Sequence, residues 1–166
     1  LSDLFNYRTH QISNYSIGEE TQFRVRAFLL GFQPQNINEF CVAYCHNCQE
    51  TYSFAEIGCN LCPVKSCGDA PLSPVFKMVL YLKDEASLHM DEAYKIMYYS
   101  SVREKEVKDC KFFGFEPCNL YQDQEQREKI KQYLHMLCQF NVYMDLGIEG
   151  TYNSNLKENI FTLCDG

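Results

Sequence analysis

The sequence contains no tryptophan, no glycine-rich loop of the kind that cradles phosphates, and no apolar run approaching the roughly 18 residues of a membrane span. Glycine and proline are scarce, 8 and 5 residues in 166, which excludes collagen-like and low-complexity architectures. Positive charge is also short: 15 Lys and Arg stand against 22 Asp and Glu, a net charge of -7. Binding nucleic acid through counterion release needs Lys and Arg facing phosphates. A chain with this balance and no Lys/Arg run is not expected to bind nucleic acid on its own, although a local basic groove remains compatible with it. A protein partner suits the charge better.

What is present is the balance of an ordinary globular domain, 46% hydrophobic and 22% charged. Its length is enough for one domain with a real core. The chain opens on Leu1 rather than Met, with no signal-like segment, and is expected to be a piece of a longer protein. Twelve Tyr and twelve Phe point to a β-rich core, a contact surface, or both. Ten cysteines are distributed unevenly. Cys41, Cys45, Cys48, Cys59, Cys62 and Cys67 crowd one stretch, whereas Cys110, Cys118, Cys138 and Cys164 are scattered and read as small buried thiols. A cluster beside scattered free cysteines indicates a reducing compartment and a metal site rather than a disulfide framework.

Residues 1–20 show no period and read as a lead-in segment, with the domain proper at 21–166. Phe23 to Leu30 alternates and then turns apolar, a strand that is half exposed at first and buried later. Pro34, Asn36 and Asn38 end it in a turn. Phe40 to Tyr44 is a short strand leading into the cysteines, and Val75 to Leu82 is a strong strand. Ala93 to Tyr99 is ambiguous and is assigned to strand leading into helix, and Arg103 to Asp109 to the start of a helix. Asp123 to Cys138 is the clearest helix, with Ile130, Tyr133, Leu134, Leu137 and Cys138 on one stripe and Asp123 and Glu125 at its positive end. Val142, Met144, Leu146 and Ile148 alternate as a half-buried strand. Asn153 to Asn155 is a turn, and Ile160 to Leu163 closes the chain as a strand. This order makes the chain mainly β with helices. A small antiparallel barrel with a helix between its later strands is the economical solution, the five-stranded Greek-key OB-fold.

Cys45-His46-Asn47-Cys48 and Cys59-Asn60-Leu61-Cys62 are two Cys-x-x-Cys pairs separated by the ten residues Gln49 to Gly58. Four thiolates at such spacing form a tetrahedral structural Zn²⁺ site of the ribbon type, here spanning about 41–71. A disulfide pair or plain core thiols are the alternatives. Cys41, His46 and Cys67 could substitute as ligands. However, Cys41 alternates with Ala43 as a core residue would, His46 within a knuckle faces solvent, and Cys67 lies beyond knuckle reach of Cys62. Four cysteines leave no open coordination position, so the ion would be structural. His89 followed by Asp91 does not fit the His-x-Glu of zinc deaminases. His10 and His135 have no evident nucleophile partner, and no enzyme activity is expected.

Phe23-Arg-Val-Arg-Ala-Phe-Leu-Leu-Gly-Phe-Gln-Pro, Tyr44-Cys-His-Asn-Cys, Cys59-Asn-Leu-Cys, Val75-Phe-Lys-Met-Val-Leu-Tyr-Leu-Lys-Asp and Phe140-Asn-Val-Tyr-Met-Asp-Leu-Gly-Ile-Glu-Gly-Thr-Tyr-Asn resemble an OB-fold with a zinc ribbon in its first hairpin. The layout, covering roughly residues 21–166, is similar to the C-terminal zinc-containing OB domain of the protection-of-telomeres family. It is also similar to the corresponding domain of the replication protein A large subunit. The first resemblance implies a nuclear, telomeric, non-enzymatic protein. Its C-terminal module would bind the bridging shelterin partner through an amphipathic peptide. Single-stranded telomeric DNA would be held by other domains, weakly or not at all by this one. The second resemblance implies a single-stranded-DNA-binding module. The acidic charge favours the first. Animal members carry an insert between the two knuckles. Only ten residues lie there in this chain, which resembles a yeast-like member.

A docking surface is expected at Lys111 to Leu120, with Phe112, Phe113, Phe115 and Leu120 as its apolar anchors. Gly114 and Pro117 prevent a helix from placing these rings on one face. The acidic neighbours Asp109, Glu116, Asp123 and Glu125 favour a peptide with Lys or Arg flanking its apolar anchors.

Overall fold

The computed structural model describes residues 21–83, 94–99, 112–153 and 158–165. These contain seven strands and one long helix: β1 (Thr21–Gln33), β2 (Cys41–Tyr44), β3 (Thr51–Ser53), β4 (Ser73–Lys83), β5 (Tyr94–Tyr99), α1 (Gln124–Phe140), β6 (Met144–Asn153) and β7 (Glu158–Asp165). The expected helix start at Arg103 to Asp109, the lead-in segment, and most of the turn at Asn153 to Asn155 lie outside the described residues. Of the stretch Ala93 to Tyr99, the described residues Tyr94–Tyr99 form strand β5.

Contacts divide the chain into two compact units. The first holds 21–33, 79–83, 94–98, 135–153 and 158–165 of the described residues. Its strands are ordered β1-β6-β7-β5-β4, and β1 also pairs with β4, so the five-stranded sheet closes on itself. β1 runs antiparallel to β6 from Thr21↔Gly150 to Ala27↔Met144, and β6 antiparallel to β7. β5 and β7 are parallel. This closed order is that of the OB-fold, with α1 falling in the chain between β5 and β6. Alternation explains the filling. Val25, Ala27 and Leu29 from β1, Leu80 and Leu82 from β4, and Leu146 and Ile148 from β6 are all buried. The register between β1 and β4 slips between Leu29 and Gly31, a bulge of the kind that bends strands in barrels. Arg24 and Arg26 stay exposed on β1. The Arg26 guanidinium lies 5.8 Å over the Tyr143 ring, whose edge meets Phe28 at 5.4 Å.

The second unit holds 34–78, 99 and 112–134. β2 pairs antiparallel with β3 and with the first residues of β4, Cys41↔Phe76 to Tyr44↔Ser73. Its core is Ile37, Phe40, Cys41, Ala43, Tyr44, Val75, Phe76, Phe112, Leu120, Ile130 and Leu134. Cys41 is therefore a core thiol. Burial pushes it up to about 12.

The helix begins where its chemistry says it should. Asp123 Oδ1 accepts from the Gln126 N–H at 2.9 Å, an N-cap contact that satisfies one orphan donor. Its far end is an αL cap: Asn141 sits at φ 47° and the Val142 N–H reaches the Leu137 carbonyl. That cap explains a difference from the sequence pattern. Val142 continues the alternation of Met144, Leu146 and Ile148, yet it precedes β6 and is exposed.

Candidate metal centre and aromatic turn

Four cysteine sulfurs, those of Cys45, Cys48, Cys62 and Cys67, lie within 4.8 Å of one another. Cys48 Sγ and Cys62 Sγ are 3.7 Å apart. A tetrahedral ion with Zn–S bonds of about 2.3 Å needs sulfurs about 3.8 Å apart, so the Cys48–Cys62 pair matches the ion and the whole group lies within about 1 Å of that spacing. Soft thiolates alone select zinc over hard cations. The residues present therefore fit a closed structural Zn²⁺ site.

The first arm is a knuckle. β2 delivers Cys45, whose N–H donates to the Glu50 carbonyl at 3.0 Å, while the Gln49 N–H donates to the Cys45 carbonyl at 2.8 Å. Gln49 takes the left-handed conformation, φ 61°, that turns the chain back. The second arm has a different shape. Leu61 bridges to Pro71, the Leu72 N–H donates to the Asn60 carbonyl, and the Cys62 N–H donates to the Ala70 carbonyl. The backbone from Asn60 to Cys62 is thereby committed to a two-stranded arm and cannot wrap as a knuckle. Cys59 is exposed, outside the group. A 3₁₀ turn, Lys65–Cys67, closed by Gly68 at φ 60°, instead brings Cys67 back to the cluster, where it is only 8% exposed. Asn47 Nδ2 donates to the Cys67 carbonyl and ties the two arms together.

The sequence expectation thus places three of its four sulfurs in the group, Cys45, Cys48 and Cys62. The fourth position is filled by Cys67 rather than Cys59. His46 stays exposed beside Ser73 and Tyr44.

No sequence pattern marks Tyr52, on β3. Its hydroxyl lies 3.4 Å from Cys48 Sγ and 3.7 Å from Cys62 Sγ. That hydrogen bond lowers the Cys48 thiol to about 6, with burial opposing it and a hydrogen bond from the Glu50 backbone adding to it. Cys67 is pushed up to about 12, first by burial and then by hydrogen bonds to the neighbouring sulfurs. Metal uptake must therefore expel a proton from Cys67.

The aromatic segment forms a tight reversal. Phe112 and Phe115 exchange both backbone hydrogen bonds at 2.9 Å, with Phe113 at φ 48° and Gly114 at φ 84° between them. Two positive φ values in succession define a type I′ turn. Glycine adopts that conformation readily, whereas for a bulky ring it is strained. The expected anchors separate here. Phe112 and Leu120 are 1% and 0% exposed and belong to the interior, because Phe112 packs on Phe76 at 5.8 Å. Phe113 and Phe115 are half-buried against Tyr133, at 5.5 and 5.9 Å. Beside them opens a cleft of about 420 Å³ lined by Gly114, Phe115, Glu116, Asp123, Glu125, Gln126 and Lys129. Lys129 Nζ pairs with Glu125 at 2.6 Å. Asp109 lies outside the described residues. No described helix is long and apolar enough to cross a membrane.

No protein-family model matches the chain. It is 22% identical over 149 residues, 90% of its length, to the telomere-binding protein subunit alpha of Stylonychia mytilus. It is also 22% identical, over the same share, to the subunit of the same name from Sterkiella nova. The chain spans about a quarter of these relatives, 27% and 26% of their lengths. By fold it is similar to a chain in the crystal structure of fission yeast Pot1 and Tpz1. The TM-score is 0.54 at 13% identity, covering 95% of this chain and 86% of that one. The chain is thus an OB-fold with sequence similarity to ciliate telomere-binding alpha subunits.

Proposed function

We propose that this chain is a non-enzymatic OB module of a telomere end-protection protein, acting in the nucleus at chromosome ends. The observation that carries the reading is the similarity to two telomere-binding alpha subunits across 90% of the chain. Within the protein, the module's task is to hold a bridging protein partner through an amphipathic peptide. Grip on the single-stranded overhang falls to other parts of the full-length protein. Two features support this division. The net charge of -7 opposes phosphate binding. The half-buried Phe115, which shares its turn with Phe113, lines a cleft whose carboxylates Glu116, Asp123 and Glu125 outnumber its one cation, Lys129, which suits apolar anchors flanked by Lys or Arg.

Zn²⁺ held by Cys45, Cys48, Cys62 and Cys67 is structural in this reading. Four sulfur ligands leave no position for water or substrate, and the ion would clamp the two chain arms together. The residues themselves set the arms in place and bring the four sulfurs together.

The test is a pair of titrations on the purified chain. A partner peptide with Lys or Arg around apolar residues should bind, and Phe113→Ala or Phe115→Ala should weaken it by about 1–3 kcal/mol without loss of metal. Telomeric single-stranded DNA should bind weakly or not at all. Sub-micromolar DNA binding with a steep salt slope, and no peptide binding, would replace this reading with that of a single-strand-binding module like that of the replication protein A large subunit.

A further inference from the structure

We propose that Tyr52 is a positioning residue of the four-cysteine centre, its hydroxyl donating to the sulfurs of Cys48 and Cys62 and so holding two ligands from different arms at coordination distance. The inference rests on the reading that these sulfurs hold a metal ion. It adds a residue that the ligand set does not contain.

The geometry carries it. The Tyr52 oxygen lies 3.4 Å from Cys48 Sγ and 3.7 Å from Cys62 Sγ, and those two sulfurs are themselves 3.7 Å apart. The hydroxyl thus caps the edge that joins the knuckle to the second arm. Without metal, either partner of each contact can donate. With metal bound, both sulfurs are thiolates and can only accept, so the hydroxyl must be the donor. One O–H then serves two sulfurs, shared or in alternation, and offsets part of the negative charge that four thiolates carry around a divalent ion.

The position of Tyr52 follows from strand pairing and packing. It pairs with Ala43 across β2 and β3, so its backbone place is set by the hairpin's register. Its side chain packs on the buried group of Cys45, Cys62 and Cys67. A phenylalanine there would keep the ring packing and remove only the donor.

The experiment compares the intact chain with Tyr52→Phe. Zinc affinity is measured by competition with a chromophoric chelator, and cobalt substitution reports the sulfur-to-metal charge-transfer bands. Tyr52→Phe should bind zinc about 10- to 100-fold more weakly, the range for groups that orient metal ligands, and should shift the cobalt bands. Equal affinity and an unchanged cobalt spectrum would overturn the proposal. If the unsubstituted chain itself takes up neither ion, the metal reading fails first, and the two failures are distinguishable. Should Tyr52→Phe not fold, the cadmium-loaded original chain decides. A Tyr52 hydroxyl proton coupled to cadmium through sulfur supports the proposal, and a hydroxyl without that coupling refutes it.

Discussion

Replacing Cys67 and Cys59 in turn by serine separates two ligand sets that differ by a single sulfur. Cys67 is 8% exposed and lies with Cys45, Cys48 and Cys62 inside a 4.8 Å group, whereas Cys59 is exposed and outside it. Structural zinc in finger peptides is bound with an apparent energy of about 10–16 kcal/mol at neutral pH. If four sulfurs share that energy evenly, one is worth about 3 kcal/mol, a hundredfold or more in affinity. Cys67→Ser should therefore lose zinc to a chelator at least about a hundredfold more readily than the original chain. Cys59→Ser alters an exposed side chain and should change stability by no more than about 0.5 kcal/mol, with zinc affinity intact. Zinc content by elemental analysis and chelator competition read both. Should Cys59→Ser lose its metal while Cys67→Ser keeps it, two tandem knuckles form after all, and the arm built on Asn60, Leu61 and Pro71 does not persist in solution.

Three further outcomes follow from the same structure. Asp123→Ala removes the N-cap contact to Gln126 and should destabilise the protein by about 0.5–2 kcal/mol in urea unfolding; no change would mean that α1 is capped by another group. Cys41 is raised from 9.0 to about 12 in the folded state, so its contribution is complete below pH 9 and is lost as pH rises toward 12. Metal-free protein should lose about 1.4 kcal/mol per pH unit through Cys41 in that window. Cys41→Ala should flatten that slope without abolishing it, because Cys67 titrates there too; an unchanged slope would count against burial as the cause. Chelation should raise hydrogen exchange in residues 45–72 before the barrel strands β1 and β6, since their pairing from Thr21 to Ala27 involves no cysteine. Simultaneous loss of protection in both would show that the metal holds the whole fold.

Much of the barrel was legible from one dimension. Val25, Ala27 and Leu29 alternate with Arg24 and Arg26, and Ile130, Leu134 and Leu137 recur at helical spacing. Burial of every second residue in a strand, or of every third and fourth in a helix, is a property of local backbone geometry, so composition along the chain reveals it. The sequence by itself also determined that six cysteines crowd the stretch of chain between β1 and β4 and that the net charge is -7. It did not determine which four sulfurs meet. Spacing favours Cys59, but the cross-strand bonds of Asn60 and Cys62 to Leu72 and Ala70 bind the second arm into a ladder, and only those long-range partners return Cys67. Tyr52 reaches the sulfurs through the pairing of β3 with β2, a contact no local pattern announces. The same holds for the aromatic run. Composition marks Phe112, Phe113, Phe115 and Leu120 alike, and tertiary packing alone sends Phe112 and Leu120 inward while leaving Phe113 and Phe115 at the edge of an acidic cleft. Periodicity is written residue by residue, whereas the meeting of distant side chains depends on register and turns, and those are settled only when the whole chain has found its partners.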